Sequence, residues 1–144
     1  MARNPARPLS PHLTIWRWGP HAIVSILHRA TGTAMALGGV SIFVWWLAAA
    51  ASGPAAYDRF SYWIYRATDG ALLPTIVNIV ARLAAFGLTW AFFQHLSTGV
   101  RHFVLDVGAG YELKRNKQGA VLTLIVSTVM TLLLWVPIIL GGMR

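Results

Sequence analysis

The chain has 144 residues, of which 56% are hydrophobic and 11% are charged, and its net charge is +8. This balance lies far outside that of soluble globular domains and indicates a single integral membrane domain spanning residues 1–144. The chain contains no cysteine, which excludes thiolate ligation of an iron–sulfur cluster and covalent attachment of a cofactor through a Cys-x-x-Cys-His motif.

Residues 1–20 are predicted to form an extended tail at the membrane surface, because prolines interrupt them at positions 5, 8, 11 and 20. The sequence Trp16-Arg17-Trp18 is typical of the membrane–water interface. No compact apolar segment precedes the first apolar stretch, so we expect no cleavable signal peptide. The tail also lacks the amphipathic, serine-rich and arginine-rich helix of a transit peptide, which favours a bacterial origin over a nuclear-encoded mitochondrial one.

Three stretches are long and apolar enough to cross a hydrocarbon core, which requires about 20 residues. We therefore predict an all-α membrane fold with transmembrane helices at about residues 22–51, 71–102 and 118–141. Small residues four positions apart, such as Gly32 and Ala36, permit close packing of the first helix. The outer connection at 52–70 is rich in aromatic residues, and the inner loop runs from about residue 103 to residue 117.

The basic residues are distributed unequally between the two sides of these spans. One side holds Arg3, Arg7, Arg17, Arg29, Arg101, Lys114, Arg115 and Lys117, whereas the other holds Arg59, Arg66 and Arg144. The positive-inside rule then places the amino terminus in the cytoplasm and the carboxyl terminus outside. This placement explains the positive charge without nucleic acid as a partner.

A group of polar side chains lies at the start of the first predicted helix. Ser25, His28 and Arg29 are spaced so that we expect them on a common flank of the helix. Such donors suit the carbonyls of a quinone head group, and a guanidinium also pairs with carboxylates such as haem propionates. Arg29 alone would be an ordinary snorkelling anchor, but the three together favour a binding site.

His95 and His102 lie seven residues apart in the second predicted helix, on nearly the same face and roughly 10 Å apart along the axis. Counting back from Arg101 places His95 about 9 Å inside the membrane, where an ionisable side chain indicates function. Gly99 would let a flat group approach the helix beside His95. This pattern favours a haem pocket with His95 as the iron ligand, and the alternative is a histidine that bonds only to a neighbouring helix.

His102 lies at the predicted membrane boundary, so a role in lining the pocket is favoured over iron ligation. Two histidines on one helix face cannot bind a haem iron from opposite faces of the haem. Any b-type haem would therefore take its second axial ligand from another subunit.

Three motifs, in this order, closely resemble the cytochrome b membrane-anchor subunit of succinate dehydrogenase, respiratory complex II. They are Arg7-Pro8-Leu9-Ser10-Pro11-His12-Leu13, Ser25-Ile26-Leu27-His28-Arg29-Ala30-Thr31-Gly32, and His95-x-x-x-Gly99-x-Arg101-His102-x-x-x-Asp106. The resemblance covers essentially the whole chain, including the number and order of the spans. Trp16 stands where the family often has tyrosine, and Thr98 stands where some relatives have asparagine.

The resemblance implies roles for several residues of these motifs. His95 would be the axial ligand of haem b, and the second histidine would come from the smaller membrane anchor. Ser25, Ile26 and Arg29 would line the ubiquinone pocket, and His28 with Arg29 would lie near the haem propionates. His102 would belong to the motif without being a ligand.

The expected function is to anchor the flavoprotein and iron–sulfur subunits to the bacterial inner membrane and to help build the site where ubiquinone is reduced. The chain would not be catalytic alone. The alternatives are the anchor of a fumarate reductase and a membrane scaffold without haem.

Overall fold

The computed structural model describes residues 17–67 and 70–141, so most of the predicted amino-terminal tail lies outside the described residues. Four helices follow one another: α1 (Pro20–Ala51), α2 (Pro54–Ser61), α3 (Leu72–Asp106) and α4 (Leu113–Leu140). No strand occurs in the described ranges. Helices α1, α3 and α4 are long and apolar enough to cross a membrane, which confirms the predicted all-α transmembrane fold.

The two connections are more helical than the sequence predicted. The inner connection occupies only residues 107–112, because α3 and α4 continue past the ends of their apolar segments. The basic residues at 114–117 therefore lie in the first turns of α4. The outer connection contains α2, which begins at Pro54, in the first turn of the helix, where proline is favoured. The chain then continues from α2 into a π-helical turn over Tyr62–Arg66.

Helix α3 lies at the centre of the fold. It packs along α4, and the first half of α1, Pro20–Ala34, packs against both α3 and α4. A π-helical turn over Met35–Gly39 separates this half from Val40–Ala51, and such turns bend helices. The second half of α1 packs on α2 instead, while the Tyr62–Arg66 turn packs against α3.

The described residues bury polar side chains and expose apolar ones. Buried polar side chains are Thr31, Ser61, Asn78, Gln94, Thr98, Thr123, Ser127 and Thr131. Large leucine, isoleucine, valine and phenylalanine side chains cover the outer surface of all three long helices. This distribution is typical of membrane helices, because lipid tails favour exposed apolar groups while packing and hydrogen bonds hold the helices together.

The centre of the α3–α4 interface is held by Gln94. Its side chain is fully buried and its carbonyl oxygen accepts a 2.6 Å hydrogen bond from Ser127. Its amide nitrogen is 3.5 Å from the hydroxyl oxygen of Thr123. Interhelical hydrogen bonds of this kind stabilise membrane helices by about 1 kcal/mol.

Replacing Gln94 by leucine should lower the stability of the α3–α4 pair by about 1 kcal/mol, because it removes the bonds between the helices at nearly constant volume. The measurement is the thermal unfolding midpoint of the purified protein in detergent. Thr89→Val is the matched control, since Thr89 is only half-buried and bonds the Ala85 carbonyl of its own helix. Equal effects of the two substitutions would contradict this role of Gln94.

Candidate functional site

Three imidazoles meet between α1 and α3, near the amino-terminal end of α1 and the carboxyl-terminal end of α3. His28 lies on α1, and His95 and His102 lie on α3. The rings of His28 and His95 are stacked, with centroids 3.9 Å apart and planes 10° apart. The ring of His102 meets that of His28 edge-on, at 5.1 Å and 65°. All three side chains are half-buried, so the cluster forms one wall of a site and leaves part of each ring accessible.

The hydrogen bonds of His95 fix its tautomer. Its Nδ1 lies 3.0 Å from the backbone carbonyl oxygen of His28 and 3.4 Å from the hydroxyl oxygen of Thr31. The Thr31 hydroxyl donates its hydrogen to the carbonyls of its own helix. A carbonyl can only accept, so Nδ1 carries the proton and Nε2 keeps its lone pair. No hydrogen bond within residues 17–67 and 70–141 involves Nε2 of His95.

This arrangement fits an axial ligand of haem iron. Metal-ligating histidines commonly donate one ring N–H to a carbonyl and bind the metal through the other nitrogen. The described residues contain no group of three or more histidine, cysteine, aspartate or glutamate side chains able to hold a metal ion among themselves. A single imidazole with one free nitrogen suits one of the two axial positions on a haem.

Gly32 is the glycine that contacts His95. A Cβ at Gly32 would lie 2.9 Å from Cε1 and 3.3 Å from Nδ1 of His95. The sequence singled out Gly99 instead as the clearance beside His95; a Cβ there would come no closer than 4.0 Å to Cε1 of His28. The sequence did indicate close helix packing at Gly32, through the pair of small residues Gly32 and Ala36. It did not indicate which side chain would pack against this glycine.

Replacing Gly32 by alanine should displace the His95 ring, because the ring is pinned by its bond to the His28 carbonyl and cannot retreat freely. We expect at least about a tenfold loss of bound haem, the scale on which displaced supporting groups reduce metal affinity. The measurement is the ratio of haem to protein in the purified complex.

Gly38→Ala is the matched control on the same helix, since its Cβ would meet Leu88 at an ordinary 3.7 Å. Unchanged haem content in Gly32→Ala would show that the ring has room to move.

Thr98 is a further residue of the site, which the sequence placed outside the ligand set. Its side chain is 1% exposed, and its hydroxyl oxygen lies 2.7 Å from Nδ1 of His28. The signal available in the sequence was a hydroxyl one turn from His95. That spacing alone does not say which neighbouring helix the hydroxyl faces.

The structure separates the polar residues that the sequence predicted on one flank of α1. Ser25, Ile26 and Arg29 are exposed, whereas His28 points toward α3. The reason is the helical advance of about 100° per residue, which places Ser25 and Arg29 close in angle and turns His28 away from Arg29. The site thus has an inner part formed by imidazoles and an outer part on the surface of α1.

The chain is similar in sequence to known membrane-anchor proteins. Residues 3–134 match the family described as succinate dehydrogenase/fumarate reductase transmembrane subunit. The chain is 34% identical over 132 residues to the succinate dehydrogenase cytochrome b556 subunit of Paracoccus denitrificans, covering 90% of this chain and 92% of that protein. It is 35% identical over 130 residues to the same subunit of Rickettsia prowazekii, covering 90% and 91%. The mitochondrial cytochrome b560 subunit of Sus scrofa is 33% identical over 121 residues, which cover 84% of this chain and 65% of that protein.

Proposed function

This chain belongs to the succinate dehydrogenase/fumarate reductase transmembrane subunit family, and we propose that it is the haem b-binding membrane anchor of a succinate dehydrogenase. The relatives described above are named as cytochrome b subunits of that enzyme. The chain is a subunit of the enzyme and is not catalytic alone.

The observation that carries the haem assignment is the state of His95. Its Nδ1–H donates a hydrogen bond to the His28 carbonyl, so the lone pair of its Nε2 is available to bind iron. Gly99 and His102 would line the haem pocket, and His28 with Arg29 would lie near the propionates. The haem, when bound, supplies a one-electron carrier beside the quinone site. The second axial histidine comes from a second small membrane anchor, because His95 and His102 are on one face of α3.

The quinone part of the proposal rests on the exposed surface of α1. Ser25, Ile26 and Arg29 are exposed on the described chain, which suits a pocket completed by the iron–sulfur subunit and the second anchor. Ser25 would donate a hydrogen bond to a ubiquinone carbonyl, and Ile26 would contact the ring. The guanidinium of Arg29 would stabilise negative charge as the head group accepts electrons from the partner subunits.

The placement in the membrane follows from charge and apolar surface. Lys114 and Lys117 are exposed at the start of α4, on the side that the positive-inside rule assigns to the cytoplasm. That side would face the flavoprotein and iron–sulfur subunits. The apolar outer surface would contact lipid and the second anchor within a bacterial inner membrane.

The test is a reduced-minus-oxidised absorption spectrum of the purified complex. A b-type signal that accompanies this subunit is expected, and its absence would favour a scaffold without haem. Because the family also includes fumarate reductase subunits, the same preparation should be assayed in both directions. Succinate-driven reduction of ubiquinone should exceed quinol-driven reduction of fumarate.

A further inference from the structure

Thr98 contacts two residues of the imidazole cluster, His28 through its ring nitrogen and His95 through its backbone carbonyl. Besides its 2.7 Å contact with Nδ1 of His28, the hydroxyl oxygen of Thr98 lies 2.7 Å from the Gln94 carbonyl. It also lies 3.0 Å from the His95 carbonyl. A hydroxyl placed among three partners, with 1% of the residue exposed, has little freedom to rotate.

The donors and acceptors around Thr98 can be assigned by counting hydrogens. The hydroxyl has one hydrogen, and the two carbonyls of α3 can only accept it. The hydroxyl therefore donates within its own helix, and its lone pair accepts the Nδ1–H of His28. A ring nitrogen bonded at 2.7 Å to a buried hydroxyl fixes the rotation of the His28 ring about its Cβ–Cγ bond.

His28 in turn constrains His95 in two ways. Its backbone carbonyl orients the Nδ1–H of His95, and its ring lies parallel to the His95 ring within 10°. Rotation of the His28 ring would end this stacking and would also disturb its edge-on contact with His102, whose ring centroid is 5.1 Å away. The rotation of the His28 ring about its Cβ–Cγ bond therefore determines the orientation of the plane of the His95 imidazole.

We propose that Thr98 is a positioning residue that, through His28, sets the plane of the His95 imidazole and so tunes the electronic state of the haem that His95 binds. The inference rests on the proposed function, since it requires His95 to be the axial ligand. Groups that orient an axial histidine tune the reduction potential of its metal.

The test compares the purified complex carrying Thr98→Val, Thr98→Ser or Thr98→Cys with the unaltered complex. Haem content is measured first, and then the low-spin haem EPR spectrum and the midpoint potential. Valine keeps the shape of threonine without the hydroxyl. Serine and cysteine are close in size, but the thiol is a weak donor and a weak acceptor.

We expect Thr98→Val to retain haem while shifting both the EPR spectrum and the potential by more than the scatter between preparations. Thr98→Ser should restore the original values, and Thr98→Cys should shift them as valine does. If the valine variant does not assemble, the serine and cysteine pair decides the question. Thr33→Val is the control, because Thr33 is exposed and bonds only the Arg29 carbonyl of its own helix.

Three outcomes would overturn the proposal. They are a haem-loaded valine variant with unshifted spectrum and potential, equal shifts in the serine and cysteine variants, and a Thr33→Val shift as large as that of Thr98→Val. An unaltered complex without any haem signal would instead refute the proposed function.

Discussion

Substitution of His95 by alanine is expected to remove the haem b absorbance from an otherwise assembled complex. The substitution deletes the one ring nitrogen of the imidazole cluster that is assigned to the iron. We expect haem per complex to fall by at least about tenfold, the lower bound set by loss of supporting groups alone. The measurement is the reduced-minus-oxidised spectrum, normalised to the flavin of the partner subunit.

His102→Ala is the matched control for this experiment. His102 contacts the same cluster edge-on but is proposed to line the pocket without binding iron. Its removal should therefore leave most of the haem in place. An assembled His95→Ala complex with an unaltered spectrum would show that the ligand is another residue.

Substitution of Arg29 by alanine should reduce succinate-driven reduction of ubiquinone by roughly 10- to 100-fold, the range expected when a hydrogen bond from a charged group is lost. Ser25→Ala removes a neutral donor and should cost roughly two- to tenfold. Reduction of a soluble dye by succinate should change little in either variant, because the dye takes electrons before they reach the membrane site.

The control for charge is Arg115→Ala. Arg115 is an exposed arginine of α4 that pairs with Glu112 at 3.4 Å, on the same predicted side of the membrane. It should leave ubiquinone reduction near its original rate. If the Arg29 and Ser25 variants lose dye reduction and ubiquinone reduction equally, the defect lies in assembly and the quinone assignment fails.

The three long helices were predictable because each has an uninterrupted apolar stretch long enough to span a membrane. Their ends were not, since hydropathy marks where the chain leaves lipid and not where its helical hydrogen bonds stop. Helix α4 begins at Leu113, before the apolar segment that starts near residue 118. The helix α2 was missed for a related reason: its eight residues carry no membrane signal, and its start depends on Pro54.

The candidate site was predictable as a set of residue types but not as a set of contacts. His95 stands out because imidazoles are rare in apolar segments. The rotation of α1 against α3 decides which residues touch it, and that rotation depends on packing along both helices. Hence the sequence pointed to Gly99 as the clearance, whereas Gly32 from the other helix meets the His95 ring. Thr98 was left out for the same reason, because its partner is 70 residues away in the sequence.

The bond between His95 and the carbonyl of His28 has a consequence for how variants of this protein are interpreted. The acceptor is a backbone atom, so every amino acid at position 28 supplies it and no side-chain replacement there deletes it. Gly32 lies one helical turn further along and leaves the space through which the His95 ring approaches. A genetic screen would therefore detect the loss of this contact through substitutions of Gly32, whereas substitutions of His28 would report only on the role of its imidazole ring.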